Sequence, residues 1–489
     1  MITHQKLPPR FIQFYFALSK REEKEFSKLA LCSYFSGKRS YGRLLKMLGL
    51  AKYGKNPDPA GVYSELLNDT KMNKRALWNR LSELNSIAEK FLVIKNTERD
   101  ELKSKSLYFD ELSKRKDHRT MMLHEKPVMN LLADSVGVNE TSNSELEILL
   151  QLSSMHSERD NYETAAKLSS LQSDLSALNF LTNSYRHLLD RELQKRNNIV
   201  QKDSLIDRLV SSMDTSVILE KMNSQFPERY APLGIYYNLY NAFREPAAES
   251  HYFSAKDIFL HGSGSFTGDF TNSILQYLRN YCIEKTNLGN SEFYKEIFEL
   301  NELILEKGLF SDLNVMNSRT NHFRNFIFAA SRLNKFDWIR NFINEYSAEI
   351  PEENRDDEVN LSMALLSVYE KKFDTALEYL YRIKRKNYLH YMDTSIYKLI
   401  VFFEIGELEE SRMEMARLKD YLRKHKEIPS YFKSSYQRFL VKFSTLLKLK
   451  ETPDSSVSGL FIKEMEKLKY IGLGGWLYEK GTELHRLAP

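Results

Sequence analysis

Apolar residues recur at intervals of three and four along nearly the whole chain. Phe11, Phe14, Tyr15 and Leu18 begin the pattern, and Phe26, Leu29 and Ala30 continue it. It returns in Leu146, Leu149 and Leu150, in Leu168, Leu171, Leu175 and Leu178, in Ile274, Leu275 and Leu278, and in Phe439, Leu440, Phe443, Leu446 and Leu447. Such spacing sets side chains on one face of a helix of 3.6 residues per turn. No run alternates apolar and polar positions between hairpin-turn signals, as a half-buried strand would. The pattern predicts an all-α fold. Turn-forming residues gather at 54–61, 134–144, 244–269, 350–357 and 451–458. Only the third break is long, and its Gly262-Ser263-Gly264-Ser265 centre predicts either a flexible junction or a functional loop.

Three strings share one plan: Leu333-Asn334-Lys335-Phe336-Asp337-Trp338-Ile339, Glu370-Lys371-Lys372-Phe373-Asp374-Thr375-Ala376 and Ile405-Gly406-Glu407-Leu408-Glu409-Glu410-Ser411. In each a polar turn leads to an apolar anchor, and a residue three further on faces the same way. The anchors Phe336, Phe373 and Leu408 are 37 and 35 residues apart, and a second anchor follows each at Ile343, Leu380 and Met415. A fainter copy is Arg159-Asp160-Asn161-Tyr162-Glu163-Thr164-Ala165. This plan resembles the tetratricopeptide repeat, a helix-turn-helix unit of about 34 residues. The likeness is clearest over residues 321–426. It departs at the small residue of the first helix, which is Ala364 in one copy but Ile327 and Leu399 in the others. The resemblance implies a helical-repeat solenoid with an extended surface for protein partners. The opening, Leu18-Ser19-Lys20-Arg21-Glu22-Glu23-Lys24-Glu25-Phe26 followed by Ser33-Tyr34-Phe35, also resembles a set of uncharacterised bacterial helical proteins. That likeness implies no activity.

Composition agrees with a folded chain of 489 residues, 42% hydrophobic, in which 18 Gly and 12 Pro are too few for a low-complexity or collagen-like segment. The net charge of +5 is unevenly distributed. Residues 1–130 hold 26 Lys and Arg against 15 Asp and Glu, a balance of +11, and the rest of the chain carries −6. A basic end on a slightly acidic body suits an anionic partner, and it also serves solubility. The chain is accordingly divided into a basic N-terminal helical region (1–130), a first helical-repeat segment (131–250) and a second with the tetratricopeptide-like units (251–489). No secretory signal is read at the start, and the most apolar run, 396–405, is interrupted by Lys398 and Glu404. A cytoplasmic protein with no membrane partner is expected.

Residues that would carry chemistry are sparse. Eleven histidines include no His-x-x-x-His pair, and Cys32 and Cys282 lie 250 positions apart, so neither a zinc site nor a disulfide framework is expected. The segment 261–269 is the only glycine-dense loop. It lacks the Gly-Lys-Ser/Thr ending of a phosphate-binding loop and follows no strand. Gly472, Gly474 and Gly475 read as a helix break before Trp476. Tyr230, Tyr236, Tyr237, Tyr240 and Phe243 sit at helical spacing, which predicts core packing over a ligand box. No activated nucleophile is recognised, and no enzyme activity and no cofactor are expected.

The basic region offers the sharper candidate. Residues 60–67 read as a helix, 68–73 as a turn and 74–93 as a second helix with Leu77, Leu81, Leu84, Ile87, Ala88 and Phe91 on its apolar face. Lys71, Lys74, Arg75, Asn79 and Arg80 gather at the second helix's start, where a DNA-binding helix-turn-helix carries its contacts to phosphates and base edges. A helical hairpin that only caps the stack would present the same residues. Asn321, Arg324 and Asn325 on the first helix of one repeat are candidates for gripping a peptide. The expected function is a non-enzymatic scaffold for protein partners. The alternative is a nucleic-acid-binding regulator whose repeats sense or dimerise.

Overall fold

The computed structural model describes residues 10–37, 39–54, 59–70, 72–134, 143–196, 204–262, 266–310, 319–384, 388–469 and 472–488. Among them there are twenty-five α-helices and no strand, as the apolar spacing requires. Contacts divide the chain into two compact units, with the division falling between Ser176 and Ala177.

The first unit opens with α1 (Arg10–Ala17), α2 (Lys20–Leu31), the single turn α3 (Ser33–Ser36), α4 (Gly42–Lys52), α5 (Pro59–Thr70) and the long α6 (Lys74–Arg99). The longer helices bury apolar stripes in a shared core, in which Phe26 meets Phe91 edge to face and Phe11 at a tilt, and Leu77, Leu81 and Leu84 lie on the buried side of α6. Ser19 caps α2 through a reciprocal bond with Glu22, and Asn73 caps α6 by accepting from the Ala76 N–H at 2.7 Å. Packed beyond α6 are α7 (Glu101–Lys114), α8 (His118–Asp134), α9 (Asn143–Glu158) and the first half of α10 (Tyr162–Arg196).

The second unit takes the rest of α10. Helices α11 (Leu205–Ser212), α12 (Thr215–Gln225), α13 (Pro227–Arg244), α14 (Glu249–Gly262), α15 (Gly268–Asn287) and α16 (Phe293–Glu306) follow. Here α14 corrects the long break expected at 244–269. Tyr252, Ala255 and Phe259 form a buried helical stripe inside it and pack the helix on α13, overriding the Gly-Ser punctuation at its end. The next hairpins are α17 (Arg319–Arg332) with α18 (Phe336–Tyr346), α19 (Glu352–Tyr369) with α20 (Phe373–Arg382), and α21 (Tyr388–Ile405) with α22 (Leu408–Lys424). Helices α23 (Ser430–Glu451), α24 (Ser455–Glu466) and α25 (Gly474–Leu487) complete the unit.

The strings that looked alike in sequence make the same turn. Asn334, Lys371 and Gly406 end the first helix of their hairpins with φ of 56°, 59° and 88°, and the second helix starts two residues later. In each, the following N–H reaches back to the carbonyl five residues earlier: Lys335 to Ala330 at 3.0 Å, Lys372 to Ser367 at 2.8 Å and Glu407 to Phe402 at 2.8 Å. This is the Schellman closure, which satisfies helix-end carbonyls by placing one residue in the left-handed region. Asp160 and Lys116 repeat it in the first unit, with Asn161 bonding His156 and Asp117 bonding Leu112. The position three beyond each anchor, Ile339, Ala376 or Ser411, is fully buried. First helices also pack in succession, α17 on α19 and α19 on α21, so each hairpin buries its apolar face against the next.

Aromatic rings supply much of that burial. Phe342 alone lies 4.8 Å from Phe323, 5.3 Å from Phe326 and 5.2 Å from Trp338 between ring centres. The tyrosine cluster of α13 behaves likewise: Tyr236 and Phe243 are buried, while Tyr237 and Tyr240 lean on Tyr185 of α10.

Candidate functional site

Positions 324, 358 and 393 fall one repeat length apart on the three successive first helices α17, α19 and α21, and the fold brings them together. The Arg324 guanidinium forks onto Glu358, with Nε to Oε1 at 2.5 Å and Nη2 to Oε2 at 2.6 Å, while Nη1 donates to Asp393 Oδ2. His390 bonds Glu358 Oε2 at 2.7 Å from the other side, and the Tyr436 hydroxyl of α23 donates to Asp393 Oδ1. Glu358 has no exposed surface, and 17% of the Arg324 side chain is exposed. Burial alone would raise the Glu358 carboxyl, but the Arg324 charge and the bonds from His390 and Arg324 outweigh it and hold the group below its usual range. At Asp393 burial wins over the Arg324 charge, and the carboxyl is pushed up. Arg324 is therefore occupied by carboxylates of its own chain. Of the peptide-gripping candidates, Asn325 is exposed, and the side chain of Asn321 lies outside the described residues.

Asp393 and Tyr436 also wall a cavity of about 780 Å³. Its floor is apolar, made by Phe328 of α17, Ile396 of α21, Phe439 of α23 and Leu477 of α25. Tyr397, Ser435, Arg438, Lys442 and Glu464 supply the polar part. Gly472, which also lines it, accepts a bond across 140 residues from the Arg332 guanidinium at the end of α17. The turn into α25 is tight enough to demand glycine at position 474, where a Cβ would stand 2.0 Å from the Leu468 carbonyl oxygen. The glycines read as a helix break thus shape a cavity wall. Lys442 pairs with Glu464, whereas exposed Arg438 forms no ion pair among the described residues.

A broader hollow of about 1030 Å³ lies between α13 and α14, lined by Tyr230, Asn238, Asp257, His261 and Phe266 among others. Asp257 and His261 are 3.3 Å apart. Gly262 has no room for a side chain, since a Cβ there would meet the Phe266 ring at 2.6 Å, and residues 263–265 of the glycine-dense loop lie outside the described residues. Among the described residues no cluster of three His, Cys, Asp or Glu side chains could hold a metal, and no helix is long and apolar enough to cross a membrane.

In the first unit, α5 packs on α1 and α4, and α6 packs on α1 and α2. Lys74, Arg75 and Asn79 are exposed on the first turns of α6, and Lys71 lies outside the described residues. Arg80 is half-buried, its guanidinium 6.0 Å from the centre of the Tyr41 ring. Trp78 stands among these residues with 56% of its surface exposed. Comparison of the sequence with models of known protein families and with curated proteins returns no match in either case.

Proposed function

We propose that this chain is a non-enzymatic scaffold whose stacked hairpins, similar to tetratricopeptide repeats, hold a protein partner. The reading rests on the repeated closure at Asn334, Lys371 and Gly406 together with the packing of one first helix on the next. Hairpins that bury their apolar faces only against neighbours build a long surface from equivalent positions, and such surfaces suit extended partners. Asn325 is exposed on the first helix of that row. A photo-crosslinking residue at Asn325, compared with one at exposed Tyr381 on the second helix α20, tests the reading in cells. A partner joined from position 325 and not from 381 is the expected result. Equal yields from both, or adducts only between copies of this chain, would remove it.

A second reading is favoured by the basic first turns of α6. Lys74, Arg75 and Asn79 are exposed around Trp78, and this group would serve a regulator that binds nucleic acid. Phosphate contacts make affinity fall steeply with salt. Titration onto duplex DNA at increasing salt, with a Lys74→Ala/Arg75→Ala/Arg80→Ala variant beside the parent, separates this reading from the first. Affinity that is insensitive to salt, or equal in the two proteins, would exclude it.

A further inference from the structure

The open cavity lined by α17, α21, α23 and α25 has the size of a site for one small organic molecule, since such pockets span roughly 300–1,000 Å³. Its polar groups identify the molecule's chemistry. Asp393 is already satisfied by Arg324 and Tyr436, and Lys442 is satisfied by Glu464. Arg438 is left as the one cation of the lining without a carboxylate among the described residues. Tyr397 and Ser435 add hydroxyls, and Phe328, Ile396, Phe439 and Leu477 add apolar lining.

We infer that this cavity binds a small amphipathic carboxylate, an aromatic or aliphatic body bearing a single negative charge. The body would cover the floor, replacing water on apolar side chains, and the carboxylate would meet the planar fork of Arg438, which matches its two oxygens. A phosphate ester fits less well, because a doubly charged group would face only one uncompensated cation. A cationic ligand would oppose Arg438 and find both carboxylates of the lining already paired. The assignment does not depend on a protein partner. Because its walls come from helices far apart in the chain, occupancy would bind α17 and α25 more firmly to α21 and α23.

Calorimetric titration of the full chain with 1-naphthaleneacetate, and with 1-naphthaleneacetamide as its neutral counterpart, tests the assignment. The acid is expected to bind with a Kd of about 1 mM or below, and the amide at least about tenfold more weakly. Arg438→Gln should weaken the acid about tenfold or more and leave the amide unchanged, because charge-assisted bonds are lost from one ligand only. Ser435→Trp, at an exposed position of the lining, should abolish both. Circular dichroism establishes that the variants fold. Equal affinity for acid and amide, an acid affinity unaffected by Arg438→Gln, binding that survives Ser435→Trp, or no heat with either probe up to about 5 mM would each overturn the proposal.

Discussion

Replacing Glu358 with glutamine removes one negative charge from a place with no solvent and keeps the side chain's shape. In the native protein that carboxylate accepts two bonds from Arg324 and one from His390. Glutamine offers one carbonyl oxygen for three donors, and its amide group would face the guanidinium of Arg324, whose side chain is only 17% exposed. Removing one member of a buried ion pair costs about 3–5 kcal/mol, chiefly because the other charge stays buried without compensation. Asp393 still bonds Arg324, which places the expected loss toward the lower end, about 3 kcal/mol. Urea unfolding followed by tryptophan fluorescence measures it. With Trp78→Phe in the background, the emission comes from Trp338 and Trp476, both in the second unit. At a slope of about 3 kcal/mol per molar urea, the midpoint should fall by about 1 M. The pH dependence supplies a sign. The native Glu358 carboxyl titrates below its unfolded value, so its stabilisation is complete above about pH 4.3 and is lost as pH falls through the folded value. The gap between parent and variant should therefore close on acidification. Arg324→Met together with Glu358→Gln should cost clearly less than the two single changes added, since the second removal takes away the stranded charge. A midpoint shift below about 0.3 M, or strict additivity, would refute the view that this network secures the three first helices.

Other sites give independent expectations. Asp207, bonded by the Ser204 N–H at 2.6 Å, the Ser204 hydroxyl and Arg191, is held down at about 2 although burial pushes it upward. Asp207→Asn should cost about 2 kcal/mol at neutral pH, and this deficit should vanish between about pH 4 and pH 2; a deficit that persists in acid would contradict the assignment. Lys371 holds φ at 59°, a region that penalises any Cβ, so Lys371→Gly should raise stability by about 0.5–1 kcal/mol in thermal melts, and a fall would count against the closure described. Gly474→Ala drives a methyl into the Leu468 carbonyl and should destabilise by more than about 2 kcal/mol, with faster amide exchange in residues 472–477 than in α19. Uniform protection in that variant would mean the turn adapts freely.

Much of the architecture could be read from residue order because it is local. The apolar stripe of α6, from Leu77 to Phe91, needs only its own spacing to be recognised, and the anchors Phe336, Phe373 and Leu408 mark the second helices because each follows the same polar turn. What the residue order hid has two physical origins. The first is competition between local signals. Residues 249–262 carry a helical stripe through Tyr252, Ala255 and Phe259, yet the glycines and serines beyond it read more loudly as a break. The second is separation along the chain. Arg324 was legible as a basic residue on a first helix, but whether it faces a ligand or its own chain depends on Glu358 and Asp393, 34 and 69 residues away. A cation followed by two carboxylates at successive repeat lengths is the pattern that could have disclosed this, since equivalent positions on stacked helices become neighbours. No such periodic sign marks the cavity. Among the described residues Arg438 is its unpaired cation, since Lys442 finds Glu464 and Asp393 finds Arg324, while Gly472 of the lining bonds Arg332 across 140 residues. A site made by elimination, where the residue that matters is the one left without a partner, is written in the pairing of all the others and becomes readable once those pairs are known.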